Sequence, residues 1–491
     1  MQPIEQLSND IQFFEPRRKI FPKAVDGTYR RLKWAVMIAA LTIYYVTPWL
    51  RWDRGPFAPH QAVLVDIVHR RFYMFDIEIW PHEFYYVAGL LIMAGVGLFL
   101  VTSSVGRAWC GYACPQTVWT DLFLHIERAI DGDRNAQLRL MNAPWTPTKL
   151  ARRAFKHGAW LLIAVLTGGA WVFYFTDAPT LARDLIALQA PFTAVATIGV
   201  LTFTTYVMGG LMREQVCIYM CPWPRIQSAM LDEQSMTVTY KEWRGEPRSH
   251  GLKRGPIDLD GGVAALRTGD CIDCNACAAV CPTGIDIREG PQIGCITCGL
   301  CIDACDKVMA QMGRPARLIG YATLADARLA RAGKPTRPPL RRLLRPRSVI
   351  YLAIWASVGA AMLFSLGTRT RLDLSVERDR NPVWVRLSDG KVRNSYTVKV
   401  RNMEDRPRQV EIAIDGLPGA VVWGEGGDRK SAGQTVRLTV DADQVARARL
   451  FIAASPVGVA RSDMRFNVRA IDAEGGHSSQ ASVFERPEED R

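Results

Sequence analysis

Residues 1–109 and 306–491 contain no cysteine. The twelve that exist lie between Cys110 and Cys305, too few for a disulfide scaffold in a chain of 491 residues. Histidine is scarce as well. His60, His69, His82, His125, His157, His250 and His477 all lie outside the long apolar runs or at their extreme ends, which excludes a bis-histidine haem in mid-membrane. No glycine-rich dinucleotide fingerprint precedes a helix, so no built-in nicotinamide or flavin site is expected. The stretch Gly424-Glu-Gly-Gly-Asp-Arg-Lys-Ser431 has the outline of a P-loop, but Arg429 stands where the second glycine is needed and the context is strand-turn-strand. Nucleic-acid-binding motifs are missing, so the net charge of +13 needs another explanation and no nucleic acid is expected as partner. A cleavable signal peptide is missing too, because the chain stays polar for roughly thirty residues before its first apolar run.

Long apolar runs are plentiful. Mean hydropathy is near zero although 22% of residues are charged, because uncharged runs alternate with basic stretches. Five runs, at approximately 33–52, 84–105, 158–176, 190–212 and 348–367, approach the roughly 20 residues of helix that span a bilayer. Lysine and arginine crowd three of the segments between them. The leader holds Arg17, Arg18, Lys19, Lys23, Arg30, Arg31 and Lys33, and the loop after the second run holds Arg107, Arg128, Arg134, Arg139, Lys149, Arg152, Arg153 and Lys156. Arg331, Lys334, Arg337, Arg341, Arg342, Arg345 and Arg347 precede the fifth run. The positive-inside rule places these three segments in the cytoplasm, outvoting Arg369 and Arg371.

The first four runs form a parallel repeat. One half ends in Trp109-Cys-Gly-Tyr-Ala-Cys-Pro115 and the other in Val216-Cys-Ile-Tyr-Met-Cys-Pro222, and such repeats bring equivalent residues together between the halves. Residues 372–486 instead alternate apolar and polar, as in Tyr396-Thr-Val-Lys-Val-Arg401, with turns at Asp389-Gly390 and Gly475-Gly476. That pattern expects a β-sandwich on the outer face. The organisation is a cytoplasmic leader (1–32), a four-helix membrane domain with two Cys-x3-Cys-Pro motifs (33–212), and a cytoplasmic segment (213–347) with a ferredoxin domain at about 260–312. A fifth transmembrane helix (348–367) and an outer domain (368–491) follow.

The cysteines carry the chemistry. Cys271, Cys274, Cys277 and Cys281-Pro282 are followed by Cys295, Cys298, Cys301 and Cys305 at the same x2-x2-x3 spacing. Three thiolates in a tight loop reach three irons of a cubane, and the fourth comes from the other run. Two [4Fe–4S] clusters are therefore expected, one on Cys271, Cys274, Cys277 and Cys305 and the other on Cys295, Cys298, Cys301 and Cys281, in an α+β bacterial-type ferredoxin segment. Paired Cys-x2-Cys units also suit zinc, but the doubled spacing argues against it. Cys110/Cys114 and Cys217/Cys221 are less specific. Thiols at i and i+4 share a helix face, and four of them at one membrane boundary suit a soft metal such as Cu(I), a redox disulfide, or plain helix packing. Met208, Met212 and Met220 lie nearby in sequence.

The chain resembles the FixG/CcoG family of cbb3-type cytochrome oxidase accessory proteins. The resemblance is carried by Cys110-Gly-Tyr-Ala-Cys-Pro-Gln-Thr-Val-Trp-Thr-Asp121, Cys221-Pro-Trp-Pro-Arg-Ile-Gln-Ser-Ala-Met-Leu-Asp232, Arg244-Gly-Glu-Pro-Arg248, Cys281-Pro-Thr-Gly-Ile-Asp-Ile-Arg288 and Cys301-Ile-Asp-Ala-Cys-Asp306, in that order. It implies a multi-pass protein of the bacterial inner membrane, embedded in lipid, with an immunoglobulin-like C-terminal domain in the periplasm. It further implies a cupric reductase that passes Cu(I) toward the oxidase, with oxidase subunits or copper chaperones as partners and Cys110, Cys114, Cys217 and Cys221 as the copper-handling residues. The electron donor is left open. Related membrane ferredoxins that oxidise quinol supply a second reading, and an iron–sulfur scaffold or sensor in oxidase assembly supplies a third.

Overall fold

The computed structural model describes residues 19–55, 58–249, 269–335, 345–404, 406–427, 432–472 and 475–487. Most of the expected leader, the start of the ferredoxin domain as bounded from sequence, the end of the discarded P-loop look-alike and part of the basic run before 348 lie outside these residues. The chain divides into two compact units, residues 1–50 with 62–360 and residues 51–61 with 361–491.

In the first unit helix α1 is Thr28–Val46, and a small antiparallel sheet follows: β1 (Val63–Asp66), β2 (Arg71–Met74) and β3 (Ile77–Ile79). Next come α2 (Tyr85–Val105), α3 (Ala108–Tyr112), α4 (Pro115–Asp131), α5 (Arg134–Asn142), α6 (Pro147–Val172), α7 (Ala178–Ile186), α8 (Phe192–Thr205) and α9 (Trp223–Met230). Helix α8 continues as a π-helical stretch, Tyr206–Met212, and a second π turn covers Val216–Met220.

Among the described residues four stretches are long and apolar enough to cross a membrane: Pro81–Val105, Pro147–Val172, Phe192–Met212 and Pro346–Thr368. They correspond to four of the five expected spans. The expected span at 33–52 differs, because α1 starts at Thr28 and takes Arg30, Arg31 and Lys33 into its first turns. Its uncharged remainder, Trp34 to Val46, measures about 20 Å at 1.5 Å per residue, less than a hydrocarbon core of about 30 Å. The tight turn Thr47–Trp49, with Pro48, follows it. Helix α6 starts well before residue 158. The Thr146 hydroxyl caps it by accepting Lys149 N–H at 3.2 Å, and Pro147 occupies the first position, where a missing N–H costs nothing. Its basic first half stays helical because Lys156, 1% exposed, sits between Glu127 (3.0 Å) and Asp131 (2.6 Å) of α4.

The ferredoxin segment is framed by β4 (Thr237–Tyr240) and β5 (Ile319–Ala322), paired antiparallel, so it reaches beyond 260–312 on both sides. Between the strands lie α10 (Glu242–Gly245), α11 (Ala276–Ala279) and α12 (Leu300–Gln311); α13 (Leu324–Arg331) and α14 (Pro346–Thr368) follow. Val238, Tyr240, Ile302, Met309, Leu318 and Ile319 pack around the cysteine loops as their core.

The second unit is a sandwich of two antiparallel sheets. Its strands are β6 (Leu372–Arg378), β7 (Val385–Arg386), β8 (Val392–Asn402), β9 (Arg408–Asp415), β10 (Val421–Gly424), β11 (Thr435–Val440), β12 (Val445–Ala454), β13 (Arg461–Ala470) and β14 (His477–Glu485). One sheet has the order β10-β12-β8-β6 with β7 on β8, and the other β11-β9-β13-β14. Period-two burial explains the pairing. Val392, Tyr396, Val398 and Val400 of β8 are buried on one face, opposite Val410, Ile412, Phe466 and Val468. Tyr396 meets Phe466 edge-on at 5.2 Å and donates its hydroxyl to Val483 O at 2.7 Å.

Candidate electron-transfer and metal site

Each Cys-x3-Cys-Pro motif straddles a helix break. Helix α2 stops at Val105 because Gly106 turns at φ 62°, a position where a Cβ would lie 2.4 Å from Met236 O. Cys110 then sits on α3, whereas Cys114 is the residue before α4, with Pro115 in its first position. The two thiols therefore belong to successive elements rather than to one helix face. In the other half Cys217 lies on the π turn and Cys221 just after it. π turns gather at functional sites, and the preceding π stretch, Tyr206–Met212, packs closely on α4 and α6 through Gly209 and Gly210. A Cβ at Gly209 would meet Phe123 at 2.9 Å, and one at Gly210 would meet Trp160 at 3.0 Å.

The four motif thiols share one neighbourhood. Burial first, then the neighbouring Cys114, Cys110 and Cys221, pushes Cys217 up to about 12. Burial also raises Cys110, to about 11, against the pull of Arg107, and raises Cys114. Cys110 Sγ donates to Gln227 Oε1 at 3.1 Å, and the Gln227 amide donates to Thr102 at 3.1 Å. Arg107, 3% exposed, donates to the Ile293 carbonyl. Among the described residues no three His, Cys, Asp or Glu side chains close tightly enough to hold a single metal ion. A copper ion would have to draw these thiols inward.

The ferredoxin thiols gather in two groups. After burial, nearby Cys277, Asp306, Cys274 and Cys271 raise Cys305, and nearby Cys298, Cys295, Cys281 and Cys277 raise Cys301. The last cysteine of each run has thus folded toward the other run's first three. A cubane takes one thiolate per iron, so such spread quartets suit it. Burial raises Cys295 and Cys305 to about 12, and a metal that binds these two thiols displaces their protons.

The two sites abut. Gly111, between Cys110 and Tyr112, has no room for a side chain: a Cβ there would lie 2.6 Å from Ile296 O and 3.1 Å from Cys298 Cα. Cys110, Ile296, Cys298 and Leu300 form one buried cluster. Tyr112 donates to Cys298 O at 2.8 Å, and Tyr321 donates to the neighbouring Thr297 carbonyl. Asp303, between Cys301 and Cys305, accepts Arg30 N–H at 2.8 Å and Tyr29 N–H at 3.3 Å, capping α1 from another part of the chain. Gly27 is glycine for that reason, since its Cβ would fall 2.2 Å from Asp303 Cγ. Asp121 of α4 holds Arg30 at 2.8 Å and Lys33 at 3.7 Å. Burial would raise its carboxyl, but Lys33 and Arg30 outweigh burial and hold it below the usual range. Removing one side of such a pair leaves a buried charge, at a cost of about 3–5 kcal/mol.

Gly27, Arg107, Gly111, Tyr112, Asp121, Gln227 and Asp303 are site residues that cysteine spacing does not reveal. Tyr112 and Gly111 carried a signal, lying inside the first motif. Asp303 was detectable as an acid enclosed between two cluster cysteines.

Three family models match. A "4Fe-4S dicluster domain" covers residues 212–324, a "4Fe-4S binding domain" covers 87–131, and an "IG-like fold at C-terminal of FixG" covers 362–487. The 87–131 match contains only Cys110 and Cys114. "Nitrogen fixation protein FixG" of Rhizobium meliloti is 53% identical over 482 residues, 94% of this chain and 91% of its own. "Protein RdxA" and "Protein RdxB" of Cereibacter sphaeroides are 53% and 51% identical, each across 94% of this chain and 95% and 94% of their own.

Proposed function

Because the chain belongs to the FixG family, we propose that it is a membrane-bound iron–sulfur oxidoreductase that reduces Cu(II) to Cu(I) at Cys110, Cys114, Cys217 and Cys221 for the maturation of a cbb3-type oxidase. Cys271, Cys274, Cys277 and Cys305 would hold one cubane and Cys295, Cys298, Cys301 and Cys281 the other, supplying one-electron reduction. The carrying observation is the close packing of Gly111 on Cys298, which sets a cluster loop against the motif thiols. Soft thiolates prefer Cu(I), whereas Cu(II) favours nitrogen and oxygen, so thiol ligation itself draws the couple toward reduction. The test is anaerobic protein, chemically reduced, freed of reductant and mixed with Cu(II). The Cu(II) EPR signal should vanish in the parent, whereas Cys271→Ser with Cys295→Ser should still bind Cu(I) but no longer consume Cu(II). Equal Cu(II) loss in both would overturn the reading.

In this reading α1 is a fifth crossing despite its short apolar part, which keeps the leader and the ferredoxin segment in the cytoplasm and the sandwich in the periplasm. Reporter fusions after Ala310 and after Arg491 should report opposite sides; the same side at both would end the five-crossing scheme.

One feature favours the quinol-oxidising alternative. A cavity of about 370 Å³ is lined by Tyr44, Gln116, Trp119, Trp171, Thr205 and Met208 and reaches Pro115, the neighbour of Cys114. A quinol-driven bleaching of the clusters, in a protein that binds no copper, is the result that reading requires.

A further inference from the structure

Electrons must reach the clusters from somewhere, and the two groups of cluster cysteines differ in access. Of the twelve cysteines Cys274 alone is exposed. Cys271, Cys277 and Cys305 of its group are buried, whereas in the other group Cys281, Cys295 and Cys301 are half-buried and Cys298 is buried, packed with Cys110 and Leu300. Cys274 is thus the one cluster cysteine that a soluble partner meets at the surface, while the second group adjoins the motif thiols.

Beside the first group lies a surface cavity of about 180 Å³, lined by Tyr240, Glu242, Trp243, Arg288, Arg328 and Arg331 among others. Two of these belong to the cluster loop's surroundings. Tyr240 packs with Cys271 and Cys277, and Arg288 donates to Asp273 and Asn275 on either side of Cys274. The remaining arginines come from α13, whose one acid, Asp326, is buried beneath the Thr323 cap. Arg328 is 69% exposed and touches Glu233 at 2.8 Å, an exposed pair of little strength, and Arg331 and Lys334 are exposed. The cavity is too small for a resident flavin or dinucleotide, since clefts for such ligands run from about 300 Å³ upward. One wall is Arg288, which holds the Cys274 loop, and the rim carries Arg328 and Arg331 beside Glu242.

We propose that this face, formed by Cys274 and the Arg328/Arg331 side of α13 and joined through the buried Arg288, is the docking surface for a small acidic one-electron carrier protein, which reduces the first cubane. The carrier loses one electron and the cubane gains it; no atom or proton changes hands. Transient redox contacts bury little area and depend on complementary charge for their encounter rate, and an acidic partner is the one that cationic α13 attracts. The inference rests on the reading that the first group's thiols hold a cubane, but not on copper.

The probe is an acidic flavodoxin and the protein is the full chain in lipid discs, loaded with iron–sulfur clusters and free of copper. Two readouts are taken: the dissociation constant of oxidised flavodoxin, and the stopped-flow bleaching of cluster absorbance by its hydroquinone. Binding and bleaching should weaken steeply with salt. Arg328→Glu with Arg331→Glu should raise the dissociation constant and lower the bleaching rate, each about tenfold at low ionic strength, the low end of what electrostatic steering contributes. Arg139→Glu, an exposed reversal on α5, should leave both unchanged, and dithionite should bleach all three proteins alike. The proposal is overturned if the double reversal behaves as the parent, if Arg139→Glu slows binding as much, or if quinol in the discs bleaches the clusters while flavodoxin does not. Because copper is absent throughout, a structural role for the motif thiols would leave these outcomes untouched.

Discussion

Replacing Cys110, Cys114, Cys217 and Cys221 together by serine is expected to abolish Cu(I) binding and Cu(II) reduction while about eight irons per chain remain, the content of two cubanes. The contrast arises because serine keeps the size of the side chain and removes the soft donor. A hydroxyl at 110 can still donate to Gln227, so the packing of α3 on α9 survives, but Cu(I) has little affinity for a neutral oxygen. In cells the variant should lose active oxidase mainly when copper is scarce, since added copper offsets a lost delivery step by mass action. Copper and iron per chain, measured anaerobically beside the rate of Cu(II) loss, separate the possibilities. A serine variant that binds and reduces copper like the parent would make these thiols structural. One that loses about four irons would make them ligands of a further cluster, a result that the iron–sulfur description of residues 87–131 makes worth checking.

The parts of the molecule legible in sequence are those whose chemistry is local. Cluster ligands must stand two and three residues apart to reach one cubane, so Cys271 to Cys305 declare themselves. The sandwich shows because burial on one face of a strand imposes period two on β8 and β13. Features that depend on distant pairing were hidden. Nothing near Arg30 and Lys33 indicates that Asp121 will neutralise them, so hydropathy starts the first helix late. Capping of α1 by Asp303 joins residues 273 apart in the chain. The two motifs also look alike as strings, yet one folds as an α turn and the other as a π turn.

Gly111→Ala is expected to uncouple the two sites without emptying either. The new Cβ would meet Ile296 O at 2.6 Å and the Cys298 backbone just beyond 3 Å, and backbone cannot swing aside as a side-chain tip can. The cluster loop must therefore retreat from α3 by a few tenths of an ångström or more, loosening the Tyr112 bond to Cys298 O. Copper binding and the iron count should be unchanged, because no thiol is touched. The single-turnover rate of Cu(II) loss should fall, because electron transfer weakens as the gap between the loop and α3 widens. Gly158→Ala provides the same chemical change in open space, with nothing within 4 Å of its Cβ, and should leave the rate alone. On the proposed ligand assignment, the EPR spectrum of the cubane on Cys295, Cys298, Cys301 and Cys281 should shift while the other stays constant. If Gly111→Ala passes electrons to copper as fast as the parent, the contact between α3 and the Ile296–Cys298 loop is not the route. Electrons would then have to reach the motif thiols from the membrane side, past Pro115 and the cavity that ends there.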